Sequence, residues 1–216
     1  MAKWYLDTEH PVAVNSPDHL APHGTAVDNS INLEFNKKII DLFNGNVSVL
    51  DLGCAGGGFI RTLVEAGQIA VGLEGSDYSL KIQRAEWGVI PDNLFTCDIT
   101  KPFTLHWGDH VPYQFDIVTA WEVLEHIAEP DLPQVMSNIH RHLKVGGLFF
   151  ATTSRSSCFR GGVELHQTVQ GMRWWSRMIK ATGFCERPSI YKSFEPSEWI
   201  RPKSRCKYVF QRLEHE

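Results

Sequence analysis

Short apolar runs alternate with amphipathic stretches along most of this chain. Runs at 47–52, 70–74, 93–97, 115–120 and 148–153 have the length and β-branched or aromatic content of buried strands. Between them, apolar residues recur at helical spacing over 31–43, 57–67, 77–87, 131–143 and 171–181. Asp28, Asn29 and Ser30 offer caps for the first helix, and Gly183 a stop for the last. Two more strands are predicted at 185–192 and 206–213 with no helix between them, so one of them runs antiparallel. The pattern predicts an α/β fold: a Rossmann-like, doubly wound, mostly parallel seven-stranded sheet with an antiparallel strand near the C-terminus.

Two stretches lack a clear period. Residues 1–29, rich in Pro, His, Asp and Asn, read as an irregular arm, with Trp4, Tyr5, His19 and His23 making it a candidate lid over a domain at 30–216. Residues 100–114 read as a polar and aromatic link. No internal repeat or low-complexity segment is present.

Composition narrows the partners. The 216 residues fit one large domain, and 43% hydrophobic content is enough for a sizeable core. A net charge of -4 provides no global field for nucleic acid, so no nucleic-acid partner is expected. The basic run Arg201, Lys203, Arg205 and Lys207 has the alternate spacing of a strand's wet face. Five scattered cysteines without a CxxC pair imply neither a disulfide framework nor a zinc knuckle. With no signal-peptide core at the N-terminus and no apolar run of roughly 20 residues, a cytoplasmic protein without a membrane span is expected.

The chemistry concentrates at strand ends. Val49-Leu50-Asp51-Leu52 runs into the bend Gly53-Cys54-Ala55-Gly56-Gly57-Gly58, where backbone without Cβ atoms can lie against a ligand. Asp51, Glu74 and Asp98 fall at the ends of three successive strands, which in a parallel sheet point at one crevice. Glu74, followed by Gly75-Ser76, is placed to accept both hydroxyls of a ribose. Asp98 is placed to accept from an exocyclic amine such as adenine's.

Five ordered blocks carry a resemblance. Val49 to Gly57, Val71 to Ser76, Cys97-Asp98-Ile99, Phe115 to Val118 and Leu143 to Leu148 resemble the class I S-adenosylmethionine-dependent methyltransferases over about residues 30–185. Ala55 stands where the family's Gly-x-Gly-x-Gly loop has its middle glycine. The resemblance implies S-adenosyl-L-methionine as cofactor, its methionine part near the glycine bend. The implied cofactor-binding set is Asp51, Gly53, Cys54, Ala55, Gly57, Glu74, Gly75, Ser76, Asp98, Ile99, Trp121 and Glu122.

After the fourth strand, Glu122, Glu125 and His126 are spaced i, i+3 and i+4, on one face of a helical turn. With His166 they form a candidate metal set for Mg2+ or Mn2+, similar to that of metal-assisted O-methyltransferases of the ubiquinone pathway and of small RNA. The other reading makes His126 and His166 catalytic without a metal. His140 and His142 read as surface residues, Trp175 and Ile179 as core, and Trp174 as a side chain facing substrate or core. Arg155 and Arg160 belong to a 154–175 segment expected on the acceptor side.

The expected function is methyl transfer to a small-molecule acceptor, a hydroxyl of a sugar, quinone precursor or natural product. The alternatives are an RNA 2′-O-methyltransferase, a nicotinamide-dependent oxidoreductase and a non-catalytic cofactor-binding module. The oligomeric state is not legible.

Overall fold

A computed structural model of the chain describes residues 3–108, 111–201 and 206–214. The arm carries β1 (Trp4–Asp7), α1 (Pro17–Leu20) and α2 (Gly24–Val27), followed by α3 (Leu33–Leu42). The alternating part begins with β2 (Ser48–Leu52), α4 (Gly58–Glu65), β3 (Ile69–Glu74), α5 (Tyr78–Lys81) and β4 (Leu94–Thr96). A small pair, β5 (Thr104–Trp107) and β6 (Val111–Pro112), precedes β7 (Phe115–Trp121), α6 (Leu132–His142) and β8 (Leu143–Thr153). The hairpin β9 (Phe159–Arg160) and β10 (Val163–Glu164) leads to α7 (Met172–Lys180), β11 (Phe184–Glu186), α8 (Pro188–Ser193) and β12 (Cys206–Arg212).

Seven strands form the central sheet in the order β11-β12-β8-β7-β2-β3-β4. The strands from β8 to β4 pair in parallel, and β12 is antiparallel to both of its neighbours, β8 and β11. The predicted fold class is borne out, with β12 as the antiparallel strand. All five residues of β2 are buried, as a strand covered on both faces requires. One core cluster packs α6 and α7 on the sheet through Val135, Met136, Ile139, Trp175 and Ile179. The other packs α3 and α4 on the opposite face through Phe35, Ile39, Phe59, Ile60 and Leu63. Among the described residues no helix is long and apolar enough to cross a membrane.

Several expectations need correction. The arm is ordered: β1 pairs antiparallel with β5, and the Trp4 ring lies 5.5 Å from Phe115 in stacked geometry. The 100–114 link therefore contains a strand, because its aromatic residues bury against the arm rather than face water. The cap of α3 is Asn32, whose Oδ1 accepts from Glu34 and Phe35 N–H; Asp28, Asn29 and Ser30 lie upstream and serve other contacts. The 77–87 helix shortens to α5 and a 3-10 turn at Ala85–Gly88. The 185–192 strand ends at Glu186, since Pro188 cannot donate to a ladder and instead opens α8.

His142 is not at the surface. It is 1% exposed, stacks on Phe103, and its Nε2 accepts from Leu105 N–H at 3.1 Å, while Nδ1 bonds the Asn138 carbonyl. The strap that became β5 is what covers it. Arg201 is half-buried before β12, and Lys207 lies 5.5 Å over the Trp199 ring, so neither is simply a wet strand face. Lys203 and Arg205 lie outside the described residues.

Candidate active site

The carboxyl ends of β2, β3, β4 and β7 open into one cavity of about 540 Å³. Eleven of its 28 lining residues come from the arm, between His10 and Asp28. Of the sequence-predicted cofactor residues, Gly53, Ala55, Glu74, Gly75, Asp98, Ile99, Trp121 and Glu122 line it. Asp51, Cys54, Gly57 and Ser76 lie behind the wall.

The glycine bend is shaped by its neighbours as much as by any ligand. Gly53 has φ +73°, and a Cβ there would stand 2.5 Å from Val123 Cγ2. Ala55 also takes positive φ, +47°, at a cost of about 1 kcal/mol for an L side chain. Three contacts hold it there: its N–H donates to Glu74 Oε2 at 2.8 Å, its carbonyl accepts from Trp87 Nε1–H at 2.8 Å, and its side chain is buried. The missing family glycine is thus replaced by a conformation the surroundings enforce. The N-terminus of α4, where a dinucleotide's pyrophosphate would sit, is capped by Asn29: Gly58 N–H donates to its Oδ1 at 2.8 Å.

Asp51 is 2% exposed and accepts from the Thr119 hydroxyl at 2.6 Å. Burial pushes its carboxyl up to about 8, with Asp28 and Glu74 adding to the rise and Thr119 and Arg201 opposing it. Asp51 is therefore a structural acid at the base of the bend, its charged form disfavoured by burial.

Glu74 sits at the middle of the cavity floor. Its Oε1 accepts from the Thr25 hydroxyl at 3.0 Å and Ser76 N–H at 3.2 Å, and Oε2 from Ala55 N–H. Burial raises its carboxyl above the usual range against these three bonds. Thr25, from the arm, thus takes one of the acceptor positions of Glu74 Oε1. Asp98 accepts from Thr100 N–H and hydroxyl through Oδ1, and its own N–H donates to the His10 carbonyl.

The opposite rim carries His126. Its Nδ1–H donates to Asp18 Oδ2 at 2.8 Å, which leaves Nε2 as the ring's acceptor. Burial depresses its basicity, but the Asp18 bond and charge, with Glu125 and Glu122, outweigh burial and leave it above the ordinary imidazole value. His166 meets His126 edge to face at 4.7 Å, and its Nδ1–H donates to the Ser156 carbonyl. Burial holds it below the ordinary value. His126 lines the cavity and His166 stands behind it. Glu125 is fully buried and accepts from Ser154 N–H at 2.6 Å; burial and the Glu122 charge push its carboxyl up to about 8.

The predicted metal set assembles only in part. Glu125, His126 and His166 bring ligating atoms within 4.8 Å of one another. Glu122 has φ +58° and precedes the 3-10 turn Leu124–His126, so the regular helical face assumed for Glu122, Glu125 and His126 does not form. In the 154–175 segment Gln167 lines the cavity, while Trp174 packs on Trp175 and the core, away from it. Asp18, Thr25, Asp28, Lys101 and Arg201 all line the cavity and were not singled out from the sequence for it. Their positions follow from long-range folding, and no local pattern announces them.

The sheet order, the glycine bend and the acids at successive strand ends meet at this one cavity, and the chain belongs to the methyltransferase-domain family, whose model matches residues 27–201. Its fold is that of S-adenosylmethionine-dependent methyltransferases of known structure. The ubiquinone biosynthesis O-methyltransferase of Pseudomonas paraeruginosa is 34% identical over 109 residues, 49% of this chain and 44% of the relative. That of Idiomarina loihiensis is 33% identical over 132 residues, 59% of this chain and 51% of the relative. The chain spans about half the length of these curated relatives. In fold it is similar to a SAM-bound amino pentose methyltransferase of Micromonospora echinaspora, with TM-score 0.58, 15% identity, and 84% and 89% of the two chains covered. A S-adenosylmethionine-dependent methyltransferase of Clostridium acetobutylicum superposes with TM-score 0.57, 13% identity, and 87% and 93% covered.

Proposed function

We propose that the protein transfers a methyl group from S-adenosylmethionine to a hydroxyl oxygen of a small molecule, such as a sugar, a quinone precursor or another natural product. The observation that carries this reading is the Asp18–His126 pair at the cavity rim. Asp18 fixes the imidazole tautomer, so that Nε2 is placed to take the acceptor's proton. The relatives named for ubiquinone-biosynthesis O-methylation support an oxygen acceptor.

The donor's sulfonium supplies an already activated methyl, and the chain's residues align and enclose it. The residues fit such a donor: Glu74 and Gly75 form the middle of the wall, with Asp98 and Ile99 at one end and the glycine bend at the other. In this reading the arm is a lid. His10 and Ala13 tie it to Asp98 and Gly75 by backbone bonds, both at 2.9 Å, across the mouth of the pocket.

The Glu125, His126 and His166 cluster supports a second reading, in which Mg2+ or Mn2+ bound there draws on the acceptor oxygen. The Asp18 carboxylate on His126 Nδ1 leaves Nε2 as the ring atom that would ligate, while the burial of Glu125 disfavours its charged form.

Transfer of labelled methyl to a panel of phenols, sugars and amines separates the readings. His126→Gln is expected to lower kcat by about 10²- to 10⁴-fold while S-adenosylhomocysteine affinity stays within about twofold. Unchanged turnover would remove His126 from catalysis. Loss of activity on chelation, restored by magnesium or manganese, would install the metal reading instead.

A further inference from the structure

The cavity wall around His126 presents hydrogen-bond acceptors. The His126 Nδ1–H is engaged by Asp18 Oδ2, which leaves Nε2 as an acceptor, and the carboxylates of Asp18 and Glu122 line the same cavity. The turn that carries His126 also pins both ends of the stretch 154–168. Glu125 Oε1 accepts from Ser154 N–H at 2.6 Å, and the Glu125 carbonyl accepts from Thr168 N–H at 2.9 Å. The Thr168 hydroxyl adds a bond to the Ile127 carbonyl at 2.7 Å.

Of residues 154–175, Gln167 alone lines the cavity. It precedes the pinned Thr168, while His126 follows Glu125, so the two side chains enter the cavity from adjoining strips of backbone. Gln167 Nε2–H donates to the Glu164 carbonyl at 2.7 Å. A carbonyl only accepts, so the amide nitrogen faces it and Oε1 is turned the other way. Glu164 is itself held: its Oε1 accepts from Cys158 N–H at 2.9 Å and from His166 N–H at 3.2 Å, and β10 pairs with β9. The hairpin thus fixes the amide, and among the described residues nothing donates to Gln167 Oε1. A fixed acceptor atom beside His126 discriminates between ligands that bring it a donor and ligands that do not.

We propose that Gln167 is a specificity-determining residue: while the reacting hydroxyl faces His126 Nε2, Gln167 Oε1 accepts from a second donor, hydroxyl or amino, that the methyl acceptor carries beside it. This rests on the hydroxyl-acceptor reading above and narrows it to diols and amino alcohols, aromatic or aliphatic. An acceptor without the second donor leaves Oε1 unpaired against the ligand and is held less firmly.

Methyl transfer to two matched pairs of acceptors tests the assignment: 2-aminophenol with phenol, and methyl glucoside with its 2-deoxy analogue. Wild-type kcat/KM is expected to favour the donor-bearing member of a pair by about tenfold, the worth of one hydrogen bond. Gln167→Leu should erase that preference by raising KM for the donor-bearing member, with the other member and S-adenosylhomocysteine affinity within about twofold of wild type. Gln167→Glu, which keeps an accepting oxygen and loses the Nε2 donor, should keep the preference. Equal losses on both members, or a Gln167→Glu protein that behaves like Gln167→Leu, would make Gln167 a residue that only ties down the hairpin. A wild-type protein without preference would equally overturn the proposal. A wild-type protein that binds S-adenosylhomocysteine but methylates neither pair would instead overturn the hydroxyl-acceptor reading, and the proposal with it.

Discussion

Ala55 and Asp51 show how differently two residues of one motif are used. Ala55 accepts a left-handed backbone because Glu74 and Trp87 hold its N–H and carbonyl. Asp51, the motif's acid, does not line the cavity, and burial disfavours its charged form. Its raised folded pKa means the native state binds a proton that the unfolded chain releases above about pH 4. Stability from this group is complete at low pH and drains away as pH rises toward about 8. Asp51→Asn, which keeps an oxygen for Thr119, should therefore flatten the fall of melting temperature between pH 5.5 and 8. The difference in slope of unfolding free energy should be at most about 1.4 kcal/mol per pH unit, one proton's worth. Parallel slopes for the two proteins would show that Asp51 is ionised in the fold.

At the scale of elements, the arm is the part whose role local pattern conceals. Its contacts run along the carboxyl edge of the sheet: Thr25 to Glu74, Asp18 to His126, Asp28 to Arg201 and Asn29 to the first turn of α4. The glycines of the bend make room for it. A Cβ on Gly56 would collide with Asn29 Oδ1 and stand 2.8 Å from the Asp28 carbonyl, which cannot move without lifting the arm. Gly56→Ala is expected to cost about 1–3 kcal/mol in denaturant unfolding. It should also speed limited proteolysis within residues 8–30 and weaken S-adenosylhomocysteine. Stability and digestion equal to wild type would mean that the arm does not depend on the bend.

For the whole molecule, the cavity is closed by segments far apart in sequence: the arm, the β2 to β4 ends, the turn after β7 and Arg201. A ligand joining them should stabilise all of them together. S-adenosylhomocysteine at about 100 times its Kd should add about 2.7 kcal/mol to unfolding. It should shift one cooperative melting transition upward and protect the arm from digestion in parallel. Protection of the sheet region without protection of the arm would argue that the arm is not a lid.

The alternation of apolar runs and amphipathic stretches determined the doubly wound sheet. Strand and helix periods are local, and burial on both faces leaves β2 and its neighbours unmistakably apolar. The bend and the acids at successive strand ends were equally legible, since turn chemistry and strand-end position follow from the pattern. The antiparallel β12 followed from two strands with no predicted helix between them, although α8 does stand there. What the tertiary structure alone decided is which polar groups face the cavity. Asp51 and Ser76 are drawn behind its wall, while Asp18, Thr25, Asp28 and Arg201 are brought to it across separations as long as 173 residues. His142, expected at the surface, is buried by β5, which forms because β1 pairs with it. Periodicity reports which face of an element is apolar. Which distant charge meets that element is settled only when loops close and buried donors must find acceptors.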